Sequence, residues 1–421
     1  MEGVGRYELR LFDEPAVLFD LGRDDSGSGT VHVASLGPAR LPLGLDPTDE
    51  GLAKWLSTRA LPLNRAYADK LCLQMGIAPG DSARVVEVGR GLSLNDSYWV
   101  VPEGFDGAFD DYNLFENDFS ALLSLVAYTG RLDAARLGSH GLTPELSTGG
   151  TLAKAWRIAD DGTRLLFKAS TEGYAPGEPL SEAATSAISA VAGIRHAGYW
   201  LDRWDGRTCS VCACFCDRET SYVPFAVATG KTSLPDVVAT TMALGGNVFE
   251  DLADMLVLDC LCANTDRHLT NFGLMVDASS GKVMGLSPVF DNGRALFPNV
   301  SDSELDALPA IASYSRPAFG ADSFDLLAAR IMGERQAEWL ARLADADLDE
   351  TLRSSGMGEA RAEALSAFLS ERAYALSLLR PVPRDSLAEA SERFPDAMEF
   401  ARRFGSDARG GQAHTDWARR H

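Results

Sequence analysis

The chain has 421 residues, with 39 Lys and Arg against 60 Asp and Glu, so its formal net charge at pH 7 is −21. Its length is sufficient for two or three packed lobes, and its composition, with 46% hydrophobic and 24% charged residues, is ordinary for a globular protein. The acidic balance argues against a surface that binds nucleic acid phosphates or anionic lipid. We therefore expect neither direct nucleic acid binding nor membrane binding.

The sequence shows no targeting or membrane segment. It has no stretch of eighteen uninterrupted apolar residues, and its first residues, MEGVGRYELRLFDEP, lack the apolar core of a signal peptide. We therefore expect a cytoplasmic protein with reduced thiols.

Four of the seven cysteines lie close together in CSVCACFC. Because Cys212, Cys214 and Cys216 alternate, a strand would place them on one face, where they cannot easily converge on a tetrahedral ion. No second CxxC or histidine pair follows at zinc spacing. With Cys209, these residues are predicted to form a buried strand, and a metal site is the alternative.

Residues 1–145 are predicted to form an α+β subdomain that is part of the N-terminal lobe or packs on it. AVLFDLG and TVHVASLG are typical of strands, and RAYADKLCLQMG is typical of a helix. RVVEVGRGLSLNDSYWVVPEG is predicted as strands around a turn. FENDFSALLSLVAYTG has apolar residues at helical spacing and is predicted to stop at Gly130.

Residues 146–233 are predicted to form a β-rich lobe. A glycine turn leads into a strand, an Asp-Asp-Gly hairpin and a second strand ending near Lys168. SEAATSAISAVAGI is predicted to be a helix, with Ser181 as its N-cap and Gly193 near its end. The cysteine strand follows a turn at Asp205 and Gly206.

Residues 234–385 are predicted to form a mostly helical lobe, and residues 386–421 a C-terminal helix and tail. NVFEDLADMLVLDCLCA has helical spacing, and NTDRHLTNFG follows it directly as a loop. A predicted hairpin then leads to Asp291 in PVFDNG. The fold class is therefore α+β, with a β-rich N-lobe and a helical C-lobe.

The order of the polar residues is typical of a two-lobed phosphotransferase, because phosphoryl transfer requires positioning and charge neutralisation. Gly149 and Gly150 allow backbone N–H groups to approach phosphate closely. Lys168 can reach the α and β phosphates, and Glu182 can hold that lysine. ATGKTS at 228–233 is not a nucleotide P-loop, because Phe225 occupies the position of the required earlier glycine.

Oxygen atoms suited to metal binding or proton transfer are carried by the side chains of Asp266, Asn271 and Asp291. Asn271 and Asp291 carry hard oxygen ligands of the type that Mg²⁺ prefers, and Asp266 can accept a hydroxyl proton from an acceptor. Individually, each of these residues has a simpler explanation as a turn former. Their combination and spacing favour phosphoryl transfer.

DRHLTNFG followed by PVFDN resembles the HipA-like kinase family, bacterial serine/threonine kinases known mainly from toxin–antitoxin systems. STGGTLAK at 147–154 is similar to the family's phosphate loop, and the resemblance covers roughly residues 145–380. It implies a two-lobed fold distantly similar to protein kinases and phosphatidylinositol kinases, with ATP and Mg²⁺ as cofactors. This chain departs from the family's best-known members at Gly149 and Gly150, where they carry an alanine.

The resemblance also implies a role for each matched residue. Asp266 would be the catalytic base, and Asn271 and Asp291 would bind Mg²⁺. Lys168 would contact phosphates, with His268 near them. A phosphate loop at residues 149–154 and an adenine-binding hinge would complete the nucleotide site; their residues are Gly149, Gly150, Thr151, Lys154, Ala213 and Phe215. Ser147 or Thr148 would be the site of autophosphorylation.

The expected partners are ATP, a protein acceptor such as a translation factor or tRNA synthetase, and an antitoxin protein. Two alternatives remain open. In the first, the protein is a phosphoinositide-type or small-molecule kinase, which would use the same groups to phosphorylate another hydroxyl. In the second, it is a non-catalytic pseudokinase that only binds a partner. A pseudokinase usually lacks at least one of the residues found here, namely Lys168, Asp266, Asn271 and Asp291.

Overall fold

The computed structural model describes residues 5–23, 29–78, 80–138, 140–170 and 177–406. The chain forms two compact units. Unit 1 contains Met1–Ala169, Cys216–Tyr222 and Asp277–Gly281; unit 2 contains Ser170–Phe215, Val223–Val276 and Lys282–His421. Within the described ranges, no helix is long and apolar enough to span a bilayer.

An antiparallel four-stranded sheet begins unit 1, in the order β3-β2-β1-β4. Its strands are β1 (Gly5–Leu11), β2 (Glu14–Arg23), β3 (Gly29–Leu36) and β4 (Tyr98–Pro102). Leu9, Val17 and Phe19 are fully buried and form a core with Leu52 and other residues of helix α1 (Asp49–Ser57). The strands predicted at AVLFDLG and TVHVASLG are confirmed.

Three further helices complete this part of unit 1: α2 (Ala68–Met75), α3 (Ser82–Gly89) and α4 (Ala121–Thr129). Single 3₁₀ turns lie at Phe109–Asp111, Ala134–Arg136 and Pro144–Leu146. The helices predicted for RAYADKLCLQMG and SALLSLVAYT are confirmed, and α4 ends at Gly130, whose φ is 70°.

The strand prediction for RVVEVG is wrong, because these residues belong to α3. Asp81 caps that helix by accepting a hydrogen bond from the Arg84 N–H, and Val85 and Val86 are buried. Capping and packing therefore override the β propensity of the valines.

The hairpin predicted after the glycine turn is confirmed. Strands β5 (Lys154–Ile158) and β6 (Arg164–Ala169) pair antiparallel, with Gly162 in the connecting loop at φ 87°. Their register places Lys154 directly opposite Lys168. These two lysines therefore project from the same face of the hairpin.

Unit 2 begins with helix α5 (Glu178–Ala192), which ends at Gly193 as predicted. The prediction that Ser181 is the N-cap is wrong: Gly177 occupies that position, and Ser181 is buried inside the helix. Pro179 in the first turn explains the earlier start, since proline is favoured where its missing N–H costs nothing.

The second predicted hairpin is also confirmed. Strands β7 (Tyr199–Trp204) and β8 (Arg207–Ala213) pair antiparallel across the turn at Asp205 and Gly206. Cys209 and Cys212 are buried in β8. The strand ends at Ala213, so the prediction that Cys214 and Cys216 continue its alternation is wrong. No group of three His, Cys, Asp or Glu residues in the described parts of the chain could hold a metal ion.

The rest of unit 2 is mostly helical, as predicted. Strand β9 (Thr220–Pro224), most of which belongs to unit 1, precedes α6 (Phe225–Thr229), α7 (Leu234–Leu244) and α8 (Gly246–Cys262). Strand β10 (Gly273–Asp277) pairs antiparallel with β11 (Val283–Leu286). A 3₁₀ segment follows at Asp302–Ala307. The last helices are α9 (Leu308–Tyr314), α10 (Phe324–Ile331), α11 (Glu334–Ala344), α12 (Asp349–Ser354), α13 (Glu359–Ser377), α14 (Arg384–Ser391) and α15 (Pro395–Phe404). The predicted tail beyond residue 406 lies outside the described residues.

Helix α8 forms the centre of unit 2. Every residue from Leu252 to Cys262 is buried. An amphipathic surface helix would keep one face exposed, so this part of α8 is a core helix. Because its C-terminal end leads directly into NTDRHLTNFG, this buried helix supplies a fixed base for that loop.

Candidate active site

The first loop of the candidate site, residues 264–272, is anchored to the end of α8 and is called the Asp266 loop below. Ala263 ends the helix in a left-handed conformation, with φ 52°. The Asn264 side chain donates to Asp259 Oδ1 at 2.9 Å, and its own Oδ1 accepts the Asp266 N–H at 3.1 Å. The helix thereby fixes the backbone at Asp266.

Asn271 is held within the same loop. Its side-chain Nδ2 donates to the Asp266 carbonyl at 2.9 Å, and its N–H donates to the His268 carbonyl at 2.9 Å. With the amide nitrogen bonded in this way, Oδ1 is the atom of Asn271 suited to bind a cation.

Arg267, to which the sequence analysis gave no role, connects this loop to the segment that carries Asp291. Its side chain is buried, and it pairs with the buried Asp259 carboxylate through Nε at 2.9 Å and Nη2 at 3.1 Å. It also donates to the Asn271 carbonyl at 2.9 Å, to the Phe290 carbonyl at 2.5 Å and to Asn292 Oδ1 at 2.5 Å. One guanidinium therefore fixes the relative positions of the two loops.

The second loop, residues 288–294, is called the Asp291 loop. Asp291 has φ 59°, a left-handed conformation that is uncommon for a residue other than glycine. Both of its neighbours are fixed: Arg267 binds the Phe290 carbonyl, and the Asn292 N–H donates to Glu182 Oε2 at 2.9 Å. These contacts hold the Asp291 backbone in a conformation that costs about 1–3 kcal/mol.

Glu182 was predicted to pair with Lys168, and that pairing stays a prediction. In unit 2 the Glu182 side chain is buried and accepts the Asn292 N–H. A Cβ at Gly293 would lie 3.6 Å from Glu178 Cβ, so α5 and the Asp291 loop are in close contact. Glu182 thus has a defined role in holding the Asp291 loop.

Tyr199 is a second buried group that the sequence analysis missed. Burial raises the pKa of its phenol well above the ordinary value. The Cys212 thiol and the carboxylates of Glu182 and Asp291 raise this pKa further. The phenol therefore stays neutral beside these two carboxylates.

The two predicted hinge residues lie at and just after the end of β8. Ala213 is its last residue and is exposed. The Phe215 ring contacts the Phe290 ring, with centroids 5.4 Å apart. Within unit 2, the predicted hinge and the Asp291 loop are therefore neighbours.

The electrostatic surroundings of Asp266 favour its role as a base. Burial raises the pKa of this half-buried carboxyl, His268 lowers it and Asp291 raises it, and the net shift is upward. His268 Nδ1 is 2.8 Å from Thr270 Oγ1, which orients the imidazole. A carboxylate with a raised pKa accepts a proton more readily.

Replacing His268 with glutamine is expected to move the acid limb of the pH–rate profile for phosphate transfer to higher pH. His268 lowers the pKa of Asp266, so the loss of the imidazole lets that pKa rise. Initial rates measured across pH test this, with His32→Gln, an exposed histidine of unit 1, as the control. An unchanged or lowered limb in His268→Gln would contradict the assignment.

Unit 1 carries the predicted phosphate-binding groups. Lys154 and Lys168 are opposite each other in the β5–β6 register, and both are buried, with exposures of 8% and 5%. Two like charges directly opposite on a sheet repel, so an anion beside them would be stabilising. Gly150 has φ 83°, a left-handed conformation that favours glycine, and a Cβ there would displace Lys154 Nζ.

The predicted phosphate loop presents a row of backbone donors. Among the described residues, the N–H groups of Gly149, Gly150, Thr151 and Leu152 donate no hydrogen bond. Gly149, Gly150 and Thr151 are also exposed. Successive backbone N–H groups in such a turn are suited to bind an anion.

The two predicted autophosphorylation residues have bonded hydroxyl groups. The buried Ser147 donates to the Leu92 carbonyl at 2.7 Å. Thr148 Oγ1 donates to the Pro144 carbonyl at 2.7 Å and accepts from Trp156 Nε1 at 3.0 Å. Phosphorylation of either residue therefore requires these bonds to break, and it stays a prediction.

Comparisons with known proteins found related folds only among solved structures. No protein-family model and no curated protein matches the chain. The proinflammatory kinase CtkA of Helicobacter pylori is similar over 57% of this chain and 95% of its own, with 17% identity and a TM-score of 0.43. HipA of Shewanella oneidensis MR-1, solved with HipB and operator DNA, is similar over 94% of this chain and 97% of its own, with 13% identity and a TM-score of 0.48. Both likenesses concern the fold alone.

Proposed function

We propose that this chain is an ATP-dependent phosphotransferase, and specifically a Mg²⁺-dependent serine/threonine protein kinase of the HipA-like type. The observation that carries the proposal is the position of Arg267. It binds the Asn271 carbonyl and the Phe290 carbonyl at once, so the Asp266 loop and the Asp291 loop have one fixed arrangement. Phosphoryl transfer depends mainly on such positioning.

In this proposal Asp266 is the catalytic base. The hydroxyl oxygen of the acceptor attacks the γ-phosphorus of ATP while its proton passes to the Asp266 carboxylate. The bond from the γ-phosphorus to the bridging oxygen breaks, and ADP leaves with the electron pair. Burial raises the pKa of Asp266, which supports its role as proton acceptor.

Asn271 and Asp291 are the residues that would hold Mg²⁺. Their Oδ1 and carboxylate oxygens are hard ligands, and the Asn271 amide is already oriented by its bond to the Asp266 carbonyl. A bound Mg²⁺ would neutralise phosphate charge. The donor set of the two loops therefore fits this ion.

In unit 1, phosphate binding is assigned to Lys154, Lys168 and the backbone of residues 149–152. The two lysines lie opposite each other on β5 and β6, and the adjacent loop presents N–H groups that donate no hydrogen bond within the described part of the chain. Cations and backbone donors of this kind compensate the charge of a polyphosphate.

The motif resemblance supports finer proposals about the site and the partners. The site would include an adenine-binding hinge at Ala213 and Phe215 and autophosphorylation at Ser147 or Thr148. The partners would be a translation factor or tRNA synthetase as acceptor, and an antitoxin. A phosphoinositide or small-molecule hydroxyl is the alternative acceptor. The simultaneous presence of Lys168, Asp266, Asn271 and Asp291 favours a kinase over a pseudokinase.

Calorimetric titration of ATP at several Mg²⁺ concentrations tests this assignment. We expect Mg²⁺ to strengthen ATP binding in the wild type and Asp291→Asn to lose most of that gain, by tenfold or more, about 1.4 kcal/mol. Asp202→Asn, which changes an exposed carboxylate on β7, is the matched control and should bind as the wild type does. Retained Mg²⁺ dependence in Asp291→Asn would remove Asp291 from the metal site, and a wild type that binds no ATP would overturn the proposed function.

A further inference from the structure

Arg65 is a buried arginine of unit 1, at the start of RAYADKLCLQMG, which the sequence analysis predicted only as a helix. Its side chain is 1% exposed and pairs with the Glu145 carboxylate, through Nη2 and Oε2 at 2.7 Å. The same guanidinium donates to the Thr148 carbonyl at 3.2 Å and to the Lys154 carbonyl at 2.6 Å. Arg65 therefore holds the backbone at both ends of the predicted phosphate loop.

The next residue holds the middle of the loop. The Ala66 N–H donates to the Thr151 carbonyl at 2.9 Å. Three carbonyls, those of Thr148, Thr151 and Lys154, are thus directed toward residues 65 and 66. Such spaced anchors leave the loop little freedom to rotate its peptide units.

These anchors determine where the loop N–H groups point. In a planar trans peptide, the C=O of one residue and the N–H of the next point in opposite directions. Because the Thr148 and Thr151 carbonyls face residues 65 and 66, the N–H groups of Gly149 and Leu152 face away from them. Both belong to the row of donors that make no hydrogen bond among the described residues.

Glu145 makes this arrangement stable. Its side chain is fully buried, and its Oε1 accepts the Trp156 N–H of β5 at 2.8 Å. Burial raises the pKa of Glu145, and the Arg65 guanidinium opposes that rise. Arg65 is thereby neutralised, and both of its Nη atoms bond to the protein, whereas its buried Nε has no hydrogen-bond partner among the described residues. Because the side chain is buried, Arg65 acts on a ligand only through the loop.

We propose that Arg65 is a positioning residue that presents the Gly149 and Leu152 N–H groups to the polyphosphate of ATP. The inference rests on the proposed function, since it assumes that residues 149–154 bind phosphate. It also gives the N-terminal part of unit 1 a role in the nucleotide site, because Arg65 and Ala66 come from the connection between α1 and α2.

Binding of ATP and of adenosine to the full chain distinguishes positioning from a general structural role. Lysine offers one nitrogen and cannot bridge the carbonyls of Thr148 and Lys154. We expect Arg65→Lys to weaken ATP binding tenfold or more and to leave adenosine binding within twofold. Arg59→Lys is the matched control, because Arg59 is a buried arginine of unit 1 paired with Asp96 and contacts no loop carbonyl among the described residues.

The outcomes separate the hypotheses. Equal losses of ATP and adenosine binding, or no loss of either, in folded Arg65→Lys would overturn the role of Arg65 in phosphate positioning. Wild type that binds neither ligand would instead overturn the proposed function, and the inference with it.

Amide hydrogen exchange on the wild type provides a second test that does not depend on the folding of a variant. ATP should slow exchange at Gly149 and Leu152, and adenosine should not. If ATP binds and these two amides exchange at unchanged rates, the proposed direction of the loop N–H groups is wrong.

Discussion

Replacing Asp266 with asparagine is expected to slow phosphate transfer from ATP by a factor of about 10²–10⁴, the usual contribution of a positioned general base. Asparagine preserves the shape of the side chain, and the backbone bonds from Asn264 and Asn271 to residue 266 remain. ATP binding should therefore stay within about twofold of the wild type. Initial rates of transfer and calorimetric ATP titrations measure the two effects separately.

Asp345→Asn is the matched control for this prediction. Asp345 is an exposed C-cap residue of α11, and its replacement should change neither rate nor binding. If Asp266→Asn retains more than half of the wild-type rate, Asp266 is not the base.

Replacing Arg267 with methionine is expected to destabilise the protein by about 3–5 kcal/mol, because it leaves the Asp259 carboxylate buried without its partner. Transfer should fall as well, since the tie between the Asp266 loop and the Asp291 loop is lost. Urea denaturation measures the free energy of unfolding. Arg84→Met, which removes a half-exposed arginine from a surface ion pair with Glu87, should cost less than about 1 kcal/mol.

The double variant Arg267→Met, Asp259→Leu separates stability from positioning. Removing both buried charges should restore much of the unfolding free energy, because the desolvation penalty disappears with them. Transfer should remain low, since no group replaces the bonds to Phe290 and Asn292. Recovery of transfer together with stability would show that Arg267 has only a structural role.

Local signals were sufficient to predict much of this fold. Gly130 and Gly193 end α4 and α5 because their left-handed conformations suit glycine, and the apolar spacing before Asn264 identified the buried helix α8. The hairpin turns at Gly162 and Gly206 were also visible in the sequence. Each of these helix ends, turns and apolar patterns depends on residues that are close together in the sequence.

Where local and tertiary preferences differ, the sequence was misleading. The valines of α3 favour a strand in isolation, and only the Asp81 cap and burial of Val85 and Val86 explain the helix. Ser181 is a good N-cap residue by type, but the N-cap of α5 is Gly177, which packs closely against the backbone of Pro298. A Cβ at residue 177 would lie 2.8 Å from the Pro298 carbonyl oxygen, so this contact requires glycine.

The roles of the two buried arginines had no local signature. Arg65 binds backbone carbonyls about 80 and 89 residues away in sequence, and Arg267 binds one 23 residues away. Every residue has a backbone carbonyl, so any residue type can accept such a bond. The residue types in the sequence therefore do not reveal it. The DRH motif identified the loop that contains Arg267, and the side-chain contacts identified what that arginine does.

Transfer of the labelled γ-phosphate of ATP by the wild type, with Mg²⁺ and a cell lysate as the source of acceptors, tests the central claim most directly. The account predicts a phosphorylated serine or threonine, on this chain or on a lysate protein, that requires Mg²⁺ and is absent with Asp266→Asn. ATP that binds with Mg²⁺ while no labelled product forms would contradict the account and identify the chain as a nucleotide-binding pseudokinase.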